Sequence, residues 1–340
     1  MTTTSSKNSI LQVRDLRVHF PIKSGLLRKT TNYVKAVDGI SFDLNEGETL
    51  ALVGESGCGK TTAGRALMRA IPPTDGEVHF TMRDGSRIDA IEATAEQQLD
   101  LRQEMQLIFQ DPFASLNPRM TVFDIVADPL RSNNVSKSEV ESIVRSILGK
   151  VGLSEGYMSR YPHAFSGGQR QRIGIARALV LNPRIVIADE PVSALDVSVQ
   201  AQILNLMLDL QHELDLTYLF ISHDLSVVQY MSHRVAVMYV GKIVEIGDNE
   251  ELFSQPKHPY TQALLASVPV ANPDIKSKGT RLAGEVADPA NPPSGCYFHP
   301  RCPFAEEICR STEPELKEIK PGQFASCHFS EQLNLSGVQS

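Results

Sequence analysis

Short apolar runs that end at glycine or at acidic residues alternate with helix-like stretches along most of this chain. The runs "ETLALVG", "RIVIADE", "LTYLFISHD" and "HRVAVMYVGKIVEIG" are typical of buried strands, and "ILQVRDLRVHF" also has the alternation of a strand. The stretches "KTTAGRALMRAI" and "SVQAQILNLMLDLQHEL" have helical periodicity. Strands that alternate with helices predict a parallel α/β sheet.

Three regions depart from this alternation. The segments "SLNPRMTVFDIVADPL" and "KSEVESIVRSILGKVGL" predict helices, so we assign residues of about 112–165 to a helical subdomain. The polar and basic segment "PIKSGLLRKTTNYVK" indicates a loop or a hairpin insertion near the start of the chain. After about residue 270 the chain becomes rich in loop-forming residues.

Length and charge narrow the class of protein. A chain of 340 residues forms one large domain with subdomains, or two domains. Its formal net charge of −7 argues against a general nucleic-acid binder, so we expect no nucleic-acid partner. The first residues, "MTTTSSKNSILQVRDL", contain no apolar segment of signal-peptide length, and no stretch approaches the roughly 18 apolar residues of a membrane span. We therefore expect a cytosolic chain that docks onto a membrane protein.

The segment "GESGCGKT" fits the phosphate-binding pattern G-x-x-x-x-G-K-[ST] at Gly54, Gly59, Lys60 and Thr61. It follows a predicted strand and opens a predicted helix, which is the context that this pattern requires. Glycines there, Gly57 included, allow successive N–H groups to point at phosphate oxygens. Lys60 is expected to reach the outer phosphates, and the Thr61 hydroxyl to bind Mg²⁺. The other candidate nucleotide contacts of this loop are Glu55, Ser56, Cys58 and Thr62.

Two acidic residues, Asp189 and Glu190, end the predicted strand "RIVIAD". Carboxylates at the end of a buried strand are costly unless they have partners. Asp189 suits the Mg²⁺ shell of a bound nucleotide. Glu190, one residue further on, is a candidate to polarise the water that attacks the γ-phosphate.

A second glycine-rich helix start lies at residues 165–179, "FSGGQRQRIGIARAL". Ser166, Gly167, Gly168 and Gln169 precede a stretch rich in arginine. A serine and two glycines at a helix N-terminus form another anion-binding end. The chain therefore carries two helix N-termini suited to phosphate.

With these residues the sequence resembles the ATP-binding subunits of ABC transporters. "SGGQ" is similar to their signature motif, "LIFQDP" places Gln110 at the Q-loop, "SALD" places Asp196 in the D-loop, and "ISHD" places His223 at the switch histidine. The resemblance implies an α/β P-loop NTPase fold, the ABC ATPase domain, in which a RecA-like core carries an antiparallel β subdomain and a helical subdomain. We expect this domain over residues 10–265, and a small cysteine-rich C-terminal extension over residues 266–340.

The resemblance also implies a mechanism. Two such subunits pair head to tail, and each ATP lies between the phosphate loop of one chain and the signature of the other. Glu190 would orient water, His223 would contact the γ-phosphate, and Gln110 would join Thr61 and Asp189 around Mg²⁺. An aromatic residue stacks on adenine in this family, and Phe20, at the end of the first strand, is favoured over its rival Tyr33.

The later part of the chain narrows the resemblance to dipeptide and oligopeptide importers of the DppF/OppF type. It lies in "ELFSQPKHPYTQALLASVP" and "NPPSGCYFHPRCPFAEEIC". This implies a peripheral subunit on the cytoplasmic side of the membrane. Its partners would be a DppD/OppD-like second ATPase subunit, two membrane permeases that contact the surface around Gln110, and indirectly an extracytoplasmic peptide-binding protein. Nickel or glutathione as cargo, and a soluble ABC protein without a transport role, are the alternatives.

Four of the five cysteines, Cys296, Cys302, Cys309 and Cys327, follow the spacing C-x5-C-x6-C-x17-C. In a reducing cytosol, clustered thiols more often bind metal or perform redox chemistry than form disulfides. The resemblance to importers of this type implies a [4Fe–4S] cluster bound through these four cysteines. Four thiolates are the ligand set that such a cluster needs. A zinc site, whose cysteines usually stand closer in sequence, and free or oxidised thiols remain alternatives. A structural role is expected, because a loop-rich tail buries little apolar area.

Overall fold

The structure, a computed structural model, describes residues 9–24, 29–266 and 284–337. The described residues form two sheets flanked by helices. The strands are β1 (Ser9–Ser24), β2 (Lys29–Asn45), β3 (Thr49–Val53), β4 (Asp75–Thr81), β5 (Arg87–Asp89), β6 (Met105–Ile108), β7 (Ile185–Asp189), β8 (Thr217–Ile221), β9 (Arg234–Tyr239), β10 (Lys242–Asp248), β11 (Lys317–Lys320) and β12 (Gln323–Ala325).

The helices are α1 (Lys60–Leu67), α2 (Ala95–Glu104), α3 (Val122–Ser132), α4 (Lys137–Lys150), α5 (Gly167–Leu179), α6 (Val197–Leu214), α7 (Leu225–Met231), α8 (Asn249–Ser254), α9 (Pro259–Leu265) and α10 (Glu307–Ser311). Short 3-10 turns occupy Glu155–Tyr157, Pro162–Ala164 and His299–Arg301. In the part of the chain that the structure describes, no helix combines the length and the apolar character needed to cross a membrane.

The larger sheet has the strand order β11-β12-β10-β9-β3-β8-β7-β6. Its strands from β9 to β6 pair in parallel, as the alternation of strands and helices predicted. Strands β10, β12 and β11 continue the same sheet in antiparallel pairing. Every residue of β3, β7 and β8 is buried, because helices cover both faces of the parallel part.

Side-chain alternation along β7 divides the interior into two cores. Val186 packs in the same core as Ile173 of α5, whereas its neighbour Ile187 packs with Ala63 of α1. A Cβ added at Gly64 of α1 would lie 3.1 Å from Ile187, which shows how closely this helix approaches the sheet. Successive residues of a strand face opposite sides. Helices α1 and α5, which follow the two glycine-rich segments, therefore lie on opposite faces of the sheet.

The smaller sheet is antiparallel, with the order β2-β1-β4-β5. It is the antiparallel β subdomain that the resemblance implied. The basic segment at residues 21–35 forms the ends of the β1–β2 hairpin, which confirms the hairpin rather than the loop. Residues 25–28, within that segment, lie outside the described residues.

The predicted helices of the helical subdomain are present as α3 and α4, but α3 begins later than expected. Residues of "SLNPRM" form turns, and the helix begins at Val122 after its N-cap, Thr121, whose hydroxyl accepts a hydrogen bond from the Asp124 N–H. Pro118 explains the delay, because proline removes a backbone donor and restricts the residue before it. Helix α1 ends earlier than its sequence pattern predicted, at Leu67. Two residues later, Arg69 has a left-handed φ of 53°.

The C-terminal region extends the large sheet. Strand β12 pairs with β10 through Glu245 and Ala325, and β11 pairs with β12. The division of the chain at residues 265 and 266 stays a prediction, and residues 267–283 lie outside the described residues.

Candidate nucleotide site

The phosphate loop connects β3 to α1, as its sequence pattern required. Gly54 has a φ of 151° and Gly59 a φ of 106°, which are conformations that favour glycine. A Cβ at Gly54 would lie 2.1 Å from the Met238 carbonyl oxygen, and one at Gly59 would lie 2.0 Å from the Ala36 carbonyl oxygen. Both positions therefore accept glycine alone. Ser56 and Gly57 lie exposed at the tip of the loop.

Lys60 begins α1, and its ammonium group is directed into the loop. Its Nζ donates hydrogen bonds to the carbonyl oxygens of Gly54, at 2.7 Å, and Glu55, at 3.1 Å. The residue is only 5% exposed. Cys58 is buried beside it, and burial raises the pKa of the Cys58 thiol. The loop thus holds a buried positive charge at a helix N-terminus, an arrangement suited to anions.

Thr61 and Asp189 meet where α1 faces the end of β7. The Thr61 hydroxyl donates a 2.8 Å hydrogen bond to the Asp189 carboxylate, and Arg65 lies 3.8 Å from the other carboxylate oxygen. Burial raises the pKa of Asp189. A hydroxyl and a carboxylate are oxygen donors of the kind that Mg²⁺ prefers, so the pair fits this ion. Sequence reasoning missed Arg65, although it lies one helical turn after Thr61 and thus shares its face. Thr62, the next residue, is half-buried.

Glu190 contacts two other predicted site residues, Gln110 and His223. Its Oε2 accepts a 2.8 Å hydrogen bond from the Gln110 amide, and its Oε1 lies 2.9 Å from Nδ1 of His223. These residues follow β6, β7 and β8, three neighbouring parallel strands whose carboxyl ends share one edge of the sheet. Glu190 has a left-handed φ of 49°, which costs about 1–2 kcal/mol for a residue with a side chain. Such strain is typical of functional sites.

The signature residues form the N-terminus of α5. The Ser166 hydroxyl accepts a hydrogen bond from the Gln169 N–H, and the Gln169 side chain accepts one from the Ser166 N–H, a reciprocal capping box. A Cβ at Gly168 would lie 2.5 Å from Val199 of α6, so this glycine permits close helix packing. Because α5 and α1 lie on opposite faces of the sheet, this helix end does not cover the chain's own phosphate loop. Asp196 of the predicted D-loop is exposed at the N-cap of α6.

Comparison with known proteins identifies the family. The family model described as "ABC transporter" matches residues 37–193. The chain is 53% identical to the oligopeptide transport ATP-binding protein AppF of Bacillus subtilis, over 96% of this chain and 99% of that protein.

The chain belongs to the ABC transporter ATP-binding proteins.

Further comparisons agree with this membership. A second family model, "Oligopeptide/dipeptide transporter, C-terminal region", matches residues 244–309. The structure resembles cbiO1 of Clostridium perfringens, part of the transporter complex cbiONQ, with a TM-score of 0.60 at 28% identity over 72% of this chain and 91% of that one. It also resembles the dimeric, ADP- and phosphate-bound cassette MJ0796, with a TM-score of 0.59 at 26% identity over 70% and 98% of the two chains. The predicted ABC ATPase fold is thus confirmed, and the chain is an ATP-hydrolysing subunit.

The two candidate adenine contacts of this ABC ATPase lie side by side on the β1–β2 hairpin. Phe20 is 40% exposed and Tyr33 is 48% exposed. In the hairpin register Phe20 pairs with Val34, and Tyr33 pairs with Pro21. Directly paired residues share a face and successive residues do not, so the two rings point to opposite faces. They are therefore alternatives and do not form a joint clamp.

The four C-terminal cysteines of this ABC ATPase converge, although they come from separate turns. Cys296, Cys302, Cys309 and Cys327 line one cavity together with Phe298, Phe304 and Phe329. Burial raises the pKa of Cys296 to about 12 and that of Cys302 to about 11. Among the described residues no group of three or more His, Cys, Asp or Glu side chains is placed to hold a single metal ion.

Three of these cysteines share a local motif, Cys-x-Phe, that sequence reasoning missed. The N–H of Phe329 donates to the Cys327 sulfur at 3.4 Å. The N–H groups of Phe298 and Phe304 likewise donate to the sulfurs of Cys296 and Cys302. Each N–H favours the thiolate form of its cysteine, which is the form that binds metal. These hydrogen bonds offset only part of the effect of burial, which keeps the pKa of Cys296 and Cys302 well above the usual value for a thiol.

Proposed function

We propose that this ABC ATPase powers the import of oligopeptides or dipeptides, as a peripheral subunit on the cytoplasmic side of a membrane. The observation that carries the proposal is the match of residues 244–309 to the C-terminal region of oligopeptide and dipeptide transporters. The relative AppF, which is named as an oligopeptide transport protein, supports it because the match spans 99% of its length. An ATPase subunit does not itself contact the transported substrate. Nickel and glutathione are therefore included as alternative substrates in the uptake test below.

The residues around Glu190 are proposed to perform the hydrolysis. Lys60 and the loop N–H groups hold the phosphates, with Glu55, Ser56 and Cys58 completing the loop and Thr62 following in the first turn of α1. Glu190 accepts a hydrogen bond from the attacking water and takes its proton as the bond to the γ-phosphorus forms. His223 and Gln110 already contact the same carboxylate and orient it. ADP leaves with the bridging oxygen.

Magnesium is proposed to be held by Thr61, Asp189 and Gln110. The ion would neutralise charge on the β- and γ-phosphates. The 2.8 Å hydrogen bond between Thr61 and Asp189 supports this assignment, because it places two oxygen ligands side by side. Phe20, the position that the family resemblance favours, is the proposed adenine contact, and its ring is accessible at the end of β1.

A head-to-tail pair of ATPase subunits is proposed to complete each site. The signature residues Ser166, Gly167, Gly168 and Gln169, with Asp196, would close over the ATP of the partner. The opposite placement of α1 and α5 supports this, since the signature does not cover the phosphate loop of its own chain. The dimeric cassette MJ0796 supports it by similarity. We propose a DppD/OppD-like paralogue as the partner.

Two membrane permeases are proposed to dock beside Gln110, with an extracytoplasmic peptide-binding protein acting through them. Phe109 and Phe113 flank Gln110 and are 40% and 55% exposed. Exposed aromatic residues are enriched at protein interfaces. Conformational change at the permease would thereby reach a residue that contacts Glu190.

Uptake by a reconstituted transporter tests the function. The chain is co-expressed with its permeases and partner ATPase, and uptake of labelled dipeptides, oligopeptides, glutathione and Ni²⁺ into proteoliposomes is measured with wild type and Glu190→Gln. We expect ATP-dependent peptide uptake that the variant lacks. Uptake of Ni²⁺ or glutathione alone would reassign the cargo, and failure to co-purify with permeases would contradict a transport role.

The four C-terminal cysteines are proposed to hold a [4Fe–4S] cluster with a structural role. Their convergence on one cavity and the three N–H···S hydrogen bonds support this assignment. When bound, the cluster would crosslink the C-terminal extension, which has few long helices or strands of its own.

Purification without oxygen tests the cluster. We expect about four irons and four sulfides per chain, and a broad absorption band near 400 nm. Cys302→Ser should lower the iron content, whereas Cys58→Ser, at a cysteine outside the group, should leave it unchanged. Stoichiometric zinc in a colourless protein would contradict the proposal.

A further inference from the structure

Glu55 of the phosphate loop is held from outside the loop by two residues distant in sequence. The Arg301 guanidinium donates to both of its carboxylate oxygens, at 2.7 Å and 3.1 Å. The Tyr260 hydroxyl accepts a 2.9 Å hydrogen bond from the Glu55 N–H. Both the side chain and the backbone of Glu55 are thereby fixed. The loop is thus anchored to the C-terminal part of the chain.

The ion pair between Arg301 and Glu55 is largely removed from water. The Arg301 side chain is 5% exposed and the Glu55 side chain 25%. The guanidinium carbon lies 5.8 Å and 6.0 Å from the ring centres of Tyr239 and Phe298. Bidentate arginine–carboxylate pairs fix geometry as well as energy. Removal of Glu55 would take this carboxylate partner away from the buried Arg301 guanidinium, and removal of Arg301 would break both hydrogen bonds that fix the Glu55 side chain.

Arg301 belongs to the cysteine-rich segment. It ends the 3-10 turn His299–Arg301, which lies between Cys296 and Cys302, and its N–H donates to the Phe298 carbonyl oxygen at 3.0 Å. The Phe298 ring packs against Tyr260, with ring centres 5.4 Å apart. The two groups that hold Glu55 therefore belong to one packed unit, whose position depends on the folded extension.

The extension also holds the strand beside the phosphate loop. The Tyr297 hydroxyl donates a 2.8 Å hydrogen bond to Asp38 of β2, and the Lys35 N–H donates to the Pro289 carbonyl oxygen at 3.0 Å. Ala36, between these two residues of β2, is the neighbour whose carbonyl oxygen restricts position 59 to glycine. The extension thus contacts the phosphate loop at Glu55 and also contacts β2, whose Ala36 lies against Gly59 of the loop.

We propose that Arg301 is a positioning residue for the phosphate loop, through which the C-terminal extension sets the affinity of this chain for ATP. The proposal rests on the phosphate-binding role proposed for the loop. Glu55 also presents its carbonyl oxygen to Lys60 at 3.1 Å, so an anchored Glu55 keeps both the loop and its lysine in place. A loop without this anchor would lose conformational freedom when ATP binds, which lowers affinity.

A mutant cycle in the full-length chain tests the proposal. Binding of a fluorescent ATP analogue with Mg²⁺ is titrated for wild type, Arg301→Gln, Arg301→Lys, Glu55→Gln and the Arg301→Gln/Glu55→Gln double variant. We expect about tenfold weaker binding for Arg301→Gln, in the range of charge-assisted hydrogen bonds, and partial rescue by Arg301→Lys. The double variant should bind no more weakly than either single variant, because each single change already breaks the ion pair. In the assembled transporter, Arg301→Gln should raise KM for ATP and leave kcat unchanged.

Arg310→Gln is the matched control, since Arg310 is exposed in the same extension. It should bind the analogue as wild type does. Wild-type affinity in a folded Arg301→Gln variant, or additive losses in the double variant, would overturn the proposal. Should Arg301→Gln not fold, wild-type affinity in Glu55→Gln would overturn it equally. Unchanged binding in Lys60→Ala would instead contradict the phosphate-binding role of the loop, which is a separate result.

Discussion

Nδ1 of His223 lies 2.9 Å from Oε1 of Glu190, although 33 residues separate the two in sequence. Glu190 follows β7 and His223 follows β8. The parallel pairing of these two strands places their carboxyl ends, and thus both residues, at the same edge of the sheet. The left-handed backbone of Glu190 directs its carboxylate toward this neighbour and toward Gln110. One carboxylate thus joins side chains from the ends of three neighbouring strands.

Glu190→Gln should bind ATP normally and lose turnover by about a hundredfold to ten-thousandfold, the range of general base catalysis. The amide keeps the size of the side chain but cannot take a proton from water. Phosphate release measures the loss, and chromatography with MgATP should show a trapped pair of ATPase subunits. Glu92→Gln, at an exposed glutamate, serves as the control. Wild-type turnover in the Glu190 variant would mean that this residue is not the base.

Lys60→Ala should weaken nucleotide binding by about a hundredfold, because two charge-assisted hydrogen bonds contribute about 3 kcal/mol together. The lysine now bonds to the Gly54 and Glu55 carbonyls, and those bonds would be exchanged for phosphate oxygens. Titration with a fluorescent nucleotide measures the change. Lys137→Ala, at an exposed lysine that begins α4, should bind as wild type does.

Asp189→Asn should remove most of the gain in ATP affinity that Mg²⁺ provides. The neutral amide is a poor magnesium ligand, while its size and its contact with Thr61 are preserved. Titrations of nucleotide with Mg²⁺ and with a chelator give the two affinities. Equal magnesium dependence in the variant and the wild type would exclude Asp189 from the ion's shell.

Ser166→Ala, combined with alanine at the signature serine of the partner ATPase subunit, should reduce turnover without changing the ATP affinity of the isolated chain. The substitution removes the N-cap of α5, which costs about 1 kcal/mol of stability, and removes a group proposed to face the partner's ATP. Thr121→Ala removes a comparable N-cap from α3 and is the matched control. An equal loss of turnover in Ser166→Ala and Thr121→Ala would mean that Ser166 acts only by stabilising its helix.

Glu245 should make the stability of the fold depend on pH. Burial raises its pKa from 4.5 to about 7. Between these values the unfolded chain loses its proton while the folded chain keeps it, so the free energy of unfolding falls as pH rises, by up to about 3 kcal/mol. Denaturant titrations from pH 5 to pH 8 should show this decline in wild type and a flatter profile in Glu245→Gln. Glu315→Gln, at an exposed glutamate, should retain the decline. Parallel profiles for wild type and Glu245→Gln would contradict the assignment.

Local patterns were sufficient wherever the chemistry lies in consecutive residues. The phosphate loop, the acid pair at 189 and 190 and the glycine-rich helix start after Ser166 each depend on neighbours within a few positions, and each lies in its predicted context. The parallel sheet also followed from sequence, since buried strands that alternate with helices permit few other arrangements. Element ends were less predictable, because α3 begins only after the N-cap Thr121 and α1 ends at Leu67, both within stretches that the apolar pattern would have continued.

By itself the sequence determined the ABC ATPase fold and predicted which residues form its nucleotide site. Only the tertiary structure decided which of those residues touch. It joined Gln110 and His223 to one carboxylate, placed the two glycine-rich helix starts on opposite faces of the sheet, and brought Arg301 to Glu55 across 246 positions. The physical reason is that periodicity and turn chemistry act over a few residues, whereas such contacts depend on strand order and on how the extension packs against the sheet.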